Sequence, residues 1–197
     1  MNGDAEYRLR LAGIGGQKVV SLANALANAA FQTEIPVIST KRPRSAMRLG
    51  PITCDLIFNH KGFTPFIPSG EADAVLGTEF LDGLFNAEGQ LKNGGLLILN
   101  EHRTLTIEEA LSGIEDERAA ELERYVQNVT GRIIKLDAVR EAMDVSGNAR
   151  YMHILLLGVL VSSERGFPVP IDAIKRELCD DNALRCFERG IEYGAKA

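Results

Sequence analysis

The sequence predicts an α/β fold: an open, mostly parallel sheet flanked by helices, with a helical C-terminal extension. Three observations carry this. Short apolar runs of strand character alternate with stretches of helical apolar spacing up to about residue 140. A glycine-rich turn, Gly13-Ile-Gly-Gly-Gln-Lys18, stands between the first strand pattern and the first helix pattern. From residue 141 onward only helical patterns follow. We read residues 1–197 as one domain, with the α/β sheet core over 1–140 and C-terminal helices over 141–197.

In chain order, EYRLRLAGIG alternates, with Tyr7, Leu9 and Leu11 on one side, and predicts the first strand. From Val19, apolar residues at Val20, Leu22, Ala23, Leu26, Ala27 and Ala30 keep helical spacing, and the alanines let this helix lie close to a sheet. IPVIS predicts the second strand. STKRPRSAMRLGPI follows, with the cations Lys41, Arg42, Arg44 and Arg48 and no acid; Pro43, Gly50 and Pro51 make it a loop. TCDLIFN predicts a third strand and ADAVLGTEF a short buried one ending at a polar tip. A short helix is expected around LDGLFN, a buried strand at GGLLILNE and a last strand at GRIIKLDA. Residues 107–129 predict a helix with apolar positions at Leu111, Ile114, Leu122, Tyr125, Val126 and Val129 and a solvated charged face. After Asn148 a nearly all-apolar helix runs to about Ser163, and such a helix must be covered on every side. FPVP breaks the chain, and IDAIKREL and NALRCFERGIEYG predict two amphipathic helices. In the second, Leu184, Phe187, Glu188 and Ile191 share a stripe, and Gly194 fits a C-terminal cap.

Composition narrows the function classes. A chain of 197 residues that is 45% hydrophobic and 25% charged is ordinary for a soluble globular protein. Its net charge of −5 argues against nucleic-acid binding, which calls for a basic face. The longest apolar run, ILLLGVLV, is far short of the roughly 20 residues that cross a bilayer. MNGDAEYRLR carries no signal pattern, so the expected location is cytoplasmic and no membrane partner is expected. Cys54, Cys179 and Cys186 are widely spaced without a C-x-x-C, which supplies neither a disulfide framework nor a zinc or iron–sulfur ligand set. Among the scattered His60, His102 and His153, the last lies in an apolar helix and reads as a core or interface histidine.

The glycine turn admits two readings. A strand feeding a helix through glycines leaves free backbone N–H groups at the helix start, which with the helix dipole favour an anion. Gly13, Gly15, Gly16, Gln17 and Lys18 would then hold a phosphate or carboxylate. Alternatively the glycines only permit positive φ and close strand-to-helix contact. A dinucleotide fingerprint fails, because Lys18 stands where its third glycine should be and VISTKRPR offers no acid for a ribose. A 2′-phosphate could use Lys41 or Arg42 instead, and a Walker Gly-Lys-Ser/Thr is missing. The cationic loop lies at the carboxyl end of a strand, where open α/β sheets bind ligands. Arg44 and Arg48 suit phosphate through their planar forks; the alternative is a dock for an acidic partner. No nucleophile–base pair is present: Ser39 and Ser45 lack a neighbouring histidine. Glu79, at a strand end, suits either catalysis or capping of the following helix. No catalytic residue is assigned.

Taken in order, several segments resemble the gamma-type subunits of 2-oxoacid:acceptor (ferredoxin) oxidoreductases, especially the indolepyruvate ferredoxin oxidoreductase beta-type subunits. The family's G-x-G-G-Q-G stands here as Gly13-Ile-Gly-Gly-Gln-Lys18, and its Arg-Gly-Gly-type loop as Arg48-Leu49-Gly50. PFIPSGEADAVLGTEFLDGL is similar to the family's stretch through Glu79, LKNGGLLILN to its next strand with a terminal Asn100, and DAVREAMDVSGNARYMHILLLGVL to its Asp-Ala, Gly-Asn and Leu-Gly segment. NALRCFERG resembles its closing motif, with Cys186 in place of alanine. The resemblance covers nearly all residues from 7 to 194 and is weakest over 101–130. Lys18 and Leu49 each replace a family glycine.

The resemblance implies a role. Such enzymes oxidatively decarboxylate 2-oxoacids with thiamine diphosphate, Mg, iron–sulfur clusters and coenzyme A, and reduce ferredoxin. Thiamine diphosphate and clusters sit on other subunits, so this chain alone is expected to hold no cofactor. It would pack against thiamine-diphosphate-binding catalytic subunits, meet ferredoxin only indirectly, and help form the coenzyme A side of the site. Gly13, Gly15, Gly16, Gln17, Lys18, Arg44 and Arg48 would then face the coenzyme A phosphates. The rivals are a stand-alone nucleotide- or phosphate-binding module and a scaffold subunit without a ligand.

Overall fold

The computed structural model describes residues 5–43, 50–62, 64–102, 115–178 and 180–196. Among them one sheet of six strands forms: β1 (Tyr7–Ile14), β2 (Val37–Pro43), β3 (Pro51–Phe58), β4 (Ala72–Gly77), β5 (Leu91–Asn100) and β6 (Ile133–Leu136). Their order is β2–β3–β1–β4–β5–β6. The β1–β4, β4–β5 and β5–β6 pairs are parallel, whereas β3 is antiparallel to both β1 and β2. Five strands therefore run one way and β3 alone runs against them, as a mostly parallel sheet requires.

Alternation along the strands sends side chains into two cores. Tyr7, Leu9 and Leu11 of β1, with Cys54, Leu56 and Phe58 of β3, face α1 (Val19–Gln32) and the C-terminal helices. Val75, Leu97 and Leu99 face α2 (Phe80–Ala87) and α3 (Glu115–Val129) on the other side. Of the helix expected over 107–129, α3 is the described part; Leu111 and Ile114 lie outside the described residues. Leu122 and Val126 are buried as expected, but Tyr125 is half exposed.

After β6 the chain is helical: α4 (Ala138–Ser146), a 3₁₀ turn (Ala149–Tyr151), α5 (Met152–Ser163), α6 (Ile171–Arg176) and α7 (Asp181–Gly194). Every residue of α5 from Met152 to Val161 is buried, which is how a helix apolar all round is accommodated. The crossing of α5 on α7 is close because both are glycine there: a Cβ on Gly158 would stand 2.2 Å from the Phe187 carbonyl oxygen, and one on Gly190 2.0 Å from that of Leu155.

Three expectations are corrected. The basic segment is not loop throughout: β2 runs on through Lys41 and Arg42 to Pro43 and β3 starts at Pro51, because both prolines fall at strand ends, where a missing N–H is tolerated. Gly194 is not a left-handed cap; it lies inside α7, and a Cβ there would meet Ser162 Oγ at 2.2 Å. The buried stripe of α7 is Ala183, Cys186, Phe187, Gly190 and Gly194, turned from the one expected because the small residues, not Leu184 and Ile191, face α5.

Candidate functional site

The parallel strands β1, β4, β5 and β6 end at Ile14, Gly77, Asn100 and Leu136 on one edge of the sheet, and β2 ends there at Pro43. The chain leaves β1 through α1 toward β2 and leaves β4 through α2 toward β5 on the other side. The gap between β1 and β4 is thus the topological switch point, where open α/β sheets bind ligands.

The glycine turn fills that position, and its residues divide by role. Gln17 folds back: its Oε1 accepts from the Ile14 N–H at 3.2 Å and from Thr78 Oγ1 at 2.8 Å. Thr78 also donates its N–H to the Ala12 carbonyl at 2.8 Å, so the turn is stitched to the end of β4. Gly13 makes this approach possible, since a Cβ there would lie 1.9 Å from Thr78 Oγ1. Gly13 and Gln17 are therefore structural members of the turn. Gly16 is exposed, with φ 100 and open space around it, and Gly15 donates its N–H to the Gly50 carbonyl at 3.0 Å. Lys18 sits at the N-cap of α1 with φ 63 and ψ 18, the left-handed conformation that favours glycine. α1 has no side-chain cap and no acid in its first turn, leaving its first N–H groups to solvent or a ligand. Gly16, Lys18 and this helix start suit an anion.

The cationic segment reaches the same edge. Gly50 is held by Gly15, and Pro43 and Pro51 end β2 and begin β3 beside the turn. Lys41 is exposed. Arg42 turns inward to pair with Asp55 and lies 5.3 Å from the centre of the Phe66 ring. Asp55, fully buried, also takes a two-pronged bond from Arg10 at 2.7 and 2.9 Å. Arg42 thus has a structural partner, which leaves less of it for a 2′-phosphate. Arg44, Arg48 and Leu49 lie outside the described residues.

Behind the edge, Asn100 closes β5. Its Nδ2 donates to the Thr78 carbonyl at 3.0 Å, and its Oδ1 accepts from the Ala138 N–H at 3.0 Å. A chain of bonds thereby joins the glycine turn, through Thr78 and Asn100, to the start of α4. Glu79 takes the capping role: its side chain accepts from the Asp82 N–H at 2.9 Å at the start of α2.

Beside Lys18 a cavity of about 260 Å³ opens between α1, the start of α5 and the residues that join α6 to α7. Lys18, Ser21 and Ala25 form one wall; Arg150, Tyr151, His153 and Ile154 a second; Glu177, Leu178, Asp180 and Ala183 the third. Asp180 caps α7 by accepting from the Ala183 N–H at 2.8 Å, takes the Tyr151 hydroxyl at 2.9 Å, and lies 3.6 Å from Arg150. The Ala183 N–H and then the Tyr151 hydroxyl hold the Asp180 carboxyl below the usual range. Burial, with the Lys18 charge adding to it, pushes the His153 imidazole down to about 4 against an opposing pull from the Arg150 backbone. His153 is therefore neutral at pH 7. A further cavity of about 360 Å³ lies at the far end of the sheet beside Arg132, whose guanidinium already meets Glu164 at 3.1 Å and the Gly94 carbonyl at 3.4 Å. Among the described residues no group of three or more His, Cys, Asp or Glu could hold a metal ion. Burial raises the Cys54 thiol to about 11, which leaves it protonated and unreactive near neutrality.

Sequence reasoning missed Thr78, Arg150, Tyr151 and Asp180. Thr78 had a signal, as a polar residue directly after the apolar run ADAVLG; the other three meet only through the packing of distant helices.

The family model described as pyruvate ferredoxin/flavodoxin oxidoreductase matches residues 8–193. The chain is 26% identical over 195 residues to the indolepyruvate oxidoreductase subunit IorB of Thermococcus kodakarensis, covering 95% of each. The crystal structure of the gamma subunit of a keto/oxoacid ferredoxin oxidoreductase from Geobacter sulfurreducens superposes with a TM-score of 0.68 at 18% identity, covering 97% of this chain and 99% of that one. The 2-oxoglutarate:ferredoxin oxidoreductase of Magnetococcus marinus, with 2-oxoglutarate, coenzyme A and succinyl-CoA bound, superposes with a TM-score of 0.71 at 14% identity, over 98% of this chain and 31% of that one. At these identities the two structures speak for the fold alone.

Proposed function

This chain belongs to the pyruvate ferredoxin/flavodoxin oxidoreductase family, and from that premise we propose that it is a subunit of a 2-oxoacid:ferredoxin oxidoreductase, without turnover of its own, that builds the coenzyme A side of a shared site. One observation carries the reading. At the switch point of the sheet, an uncapped helix start, an open left-handed Gly16 and an exposed Lys18 converge. In this role Gly16 lets a phosphate approach the backbone, the first N–H groups of α1 donate to it, and Lys18 supplies the opposing charge. Gly13, Gln17 and Thr78 hold the turn in shape. Arg44 and Arg48 belong to the same proposal as phosphate partners on the neighbouring segment. Coenzyme A supplies the thiol that takes up the acyl group; thiamine diphosphate, Mg and iron–sulfur clusters are assigned to the partner subunits. The name of the Thermococcus relative makes indolepyruvate the first 2-oxoacid to assay, with pyruvate second.

Affinity purification of the tagged full chain from its own cells tests the reading. A thiamine-diphosphate-binding partner should co-elute, and the eluate should reduce ferredoxin with a 2-oxoacid only when coenzyme A is supplied. A chain that elutes alone, or an eluate indifferent to coenzyme A, would contradict it. Binding of a dinucleotide by the isolated chain, with none of coenzyme A, would favour the stand-alone module instead.

A further inference from the structure

We infer that Thr78 and Asn100 are positioning residues for the ligand at the switch point and act through Gln17. Together they fix the Gln17 side-chain amide with its oxygen inward, so that Nε2 offers its N–H groups to an acceptor oxygen of the ligand. The inference rests on the coenzyme A reading for the identity of that ligand.

The neighbours of the Gln17 amide decide its orientation. The Ile14 N–H can only donate, so the atom it meets at 3.2 Å has to be the amide oxygen. Thr78 Oγ1 lies 2.8 Å from the same oxygen, and two oxygens that close need a proton between them. A glutamine oxygen carries none, so the Thr78 hydroxyl supplies it. The Ala12 carbonyl, 3.2 Å from that hydroxyl, is served by the Thr78 N–H at 2.8 Å. Two donors therefore converge on Gln17 Oε1, and a flipped amide would turn its own N–H groups against both. Nε2 is left with no partner among the described residues, and it is open to solvent. It belongs to the residue between the exposed Gly16 and Lys18.

Asn100 fixes Thr78 in turn, and both are fully buried. Asn100 Oδ1 accepts from the Ala138 N–H at 3.0 Å and the His102 N–H at 3.3 Å. Its Nδ2 faces the other way, donating to the Thr78 carbonyl at 3.0 Å and lying 3.8 Å from Met152 Sδ. Only an amide serves both sides. Aspartate would set an oxygen against the Thr78 carbonyl, and leucine would leave that carbonyl and two N–H groups unpaired. The starts of α4 and α5 thus hold the end of β4, and through the Thr78 hydroxyl they hold Gln17.

The chemistry this adds at the turn differs from that of Lys18. An ammonium attracts an anion from any direction, whereas an amide N–H bond weakens steeply when misaligned. Gln17 therefore fixes where an acceptor oxygen sits, and its own alignment depends on Thr78, because the Ile14 bond alone is long.

Steady-state kinetics of the assembled enzyme test this as a double-mutant cycle on Thr78→Val and Gln17→Met, reading the KM for coenzyme A beside that for the 2-oxoacid. Gln17→Met removes the donor and should raise the KM for coenzyme A roughly tenfold, as for one lost bond to a charged acceptor, with the KM for the 2-oxoacid within about twofold. Thr78→Val keeps the shape without the hydroxyl and should raise it about threefold or more, Thr78→Ser should return it to the parent value, and Asn100→Asp should shift it in the same direction as Thr78→Val. In the Gln17→Met background, Thr78→Val should add nothing. A merely structural Thr78 would lower thermal stability without this split between the two KM values. Additive effects, or an unchanged KM for coenzyme A in either single variant, would overturn the inference. Gln17 is only half-buried, so Gln17→Met keeps the test open should a buried substitution fail to assemble. Lys18→Gly is the control: if it raises the KM for coenzyme A and Gln17→Met does not, this inference falls and the coenzyme A reading stands; if neither does, both fall.

Discussion

Lys18 holds φ 63 and ψ 18, a conformation that costs a residue bearing a Cβ about 1 kcal/mol relative to glycine. The sequence marks Lys18 only as a break in a glycine pattern. The backbone explains the pattern: position 18 needs a left-handed residue, Gly16 needs φ 100, and Gly13 needs the absence of a side chain beside Thr78. Three glycine positions of one motif thus answer three different demands, and only the exposed two are open to a ligand. His153 yields a direct prediction. Its folded value of about 4 lies below the ordinary 6.5, so between those two pH values the unfolded chain binds a proton that the folded chain refuses. Stability is complete above pH 6.5 and falls as the pH drops toward 4. From pH 7 to pH 5 the parent should lose about 2 kcal/mol more than His153→Gln, by urea unfolding at each pH. Parallel losses in the two proteins would contradict it.

At the scale of elements, the two helices that cross through glycine carry the tightest constraint. Gly190→Ala would drive a methyl against the Leu155 carbonyl, so α5 and α7 must separate; a loss of about 2 kcal/mol or more is expected by thermal or urea unfolding. A neutral substitution would show that the crossing is looser than described. Strand pairing has its own test. Asp55 bridges Arg10 of β1 and Arg42 of β2 from the strand between them. Asp55→Asn would leave Arg10, 5% exposed, without its counter-charge, at an expected cost of about 3–5 kcal/mol. Arg10→Met with Asp55→Leu should recover most of it, and failure to do so would assign the loss to packing. Most elements were legible because their apolar period is strong, as in Tyr7–Leu9–Leu11 or the uninterrupted run of α5. α4 has a weak apolar pattern although it carries its own punctuation, with Asp137 accepting from the Arg140 N–H at the start and Gly147 at φ 71 at the end. Nine residues with two buried alanines are too weakly periodic to announce themselves. Charge and proline make the stretch through Lys41 and Arg42 look like loop in the sequence, while β3 supplies the pairing that sequence cannot display.

For the molecule as a whole, the sheet order places β1 between an antiparallel neighbour and a parallel one, and the switch point that carries the glycine turn follows from that arrangement. The position of the glycine turn on this edge was legible, because a strand, glycines and an alanine-rich helix are consecutive in the chain. The cavity beside it was not. Its walls come from three distant segments, around Lys18, Tyr151 and Asp180, and the hydrogen bond from Tyr151 to Asp180 spans segments with no shared pattern. No described helix is long and apolar enough to cross a membrane, so even the all-apolar α5 is a core element. We propose that the start of α1 holds a phosphate of coenzyme A in a site completed by partner subunits. Steady-state kinetics of the assembled enzyme carrying Lys18→Gly tests it most directly, with coenzyme A and the 2-oxoacid varied in turn. Loss of one charge-assisted hydrogen bond, about 1.5–3 kcal/mol, should raise the KM for coenzyme A tenfold or more and leave the KM for the 2-oxoacid within about twofold. An unchanged KM for coenzyme A in a fully assembled enzyme would contradict the claim.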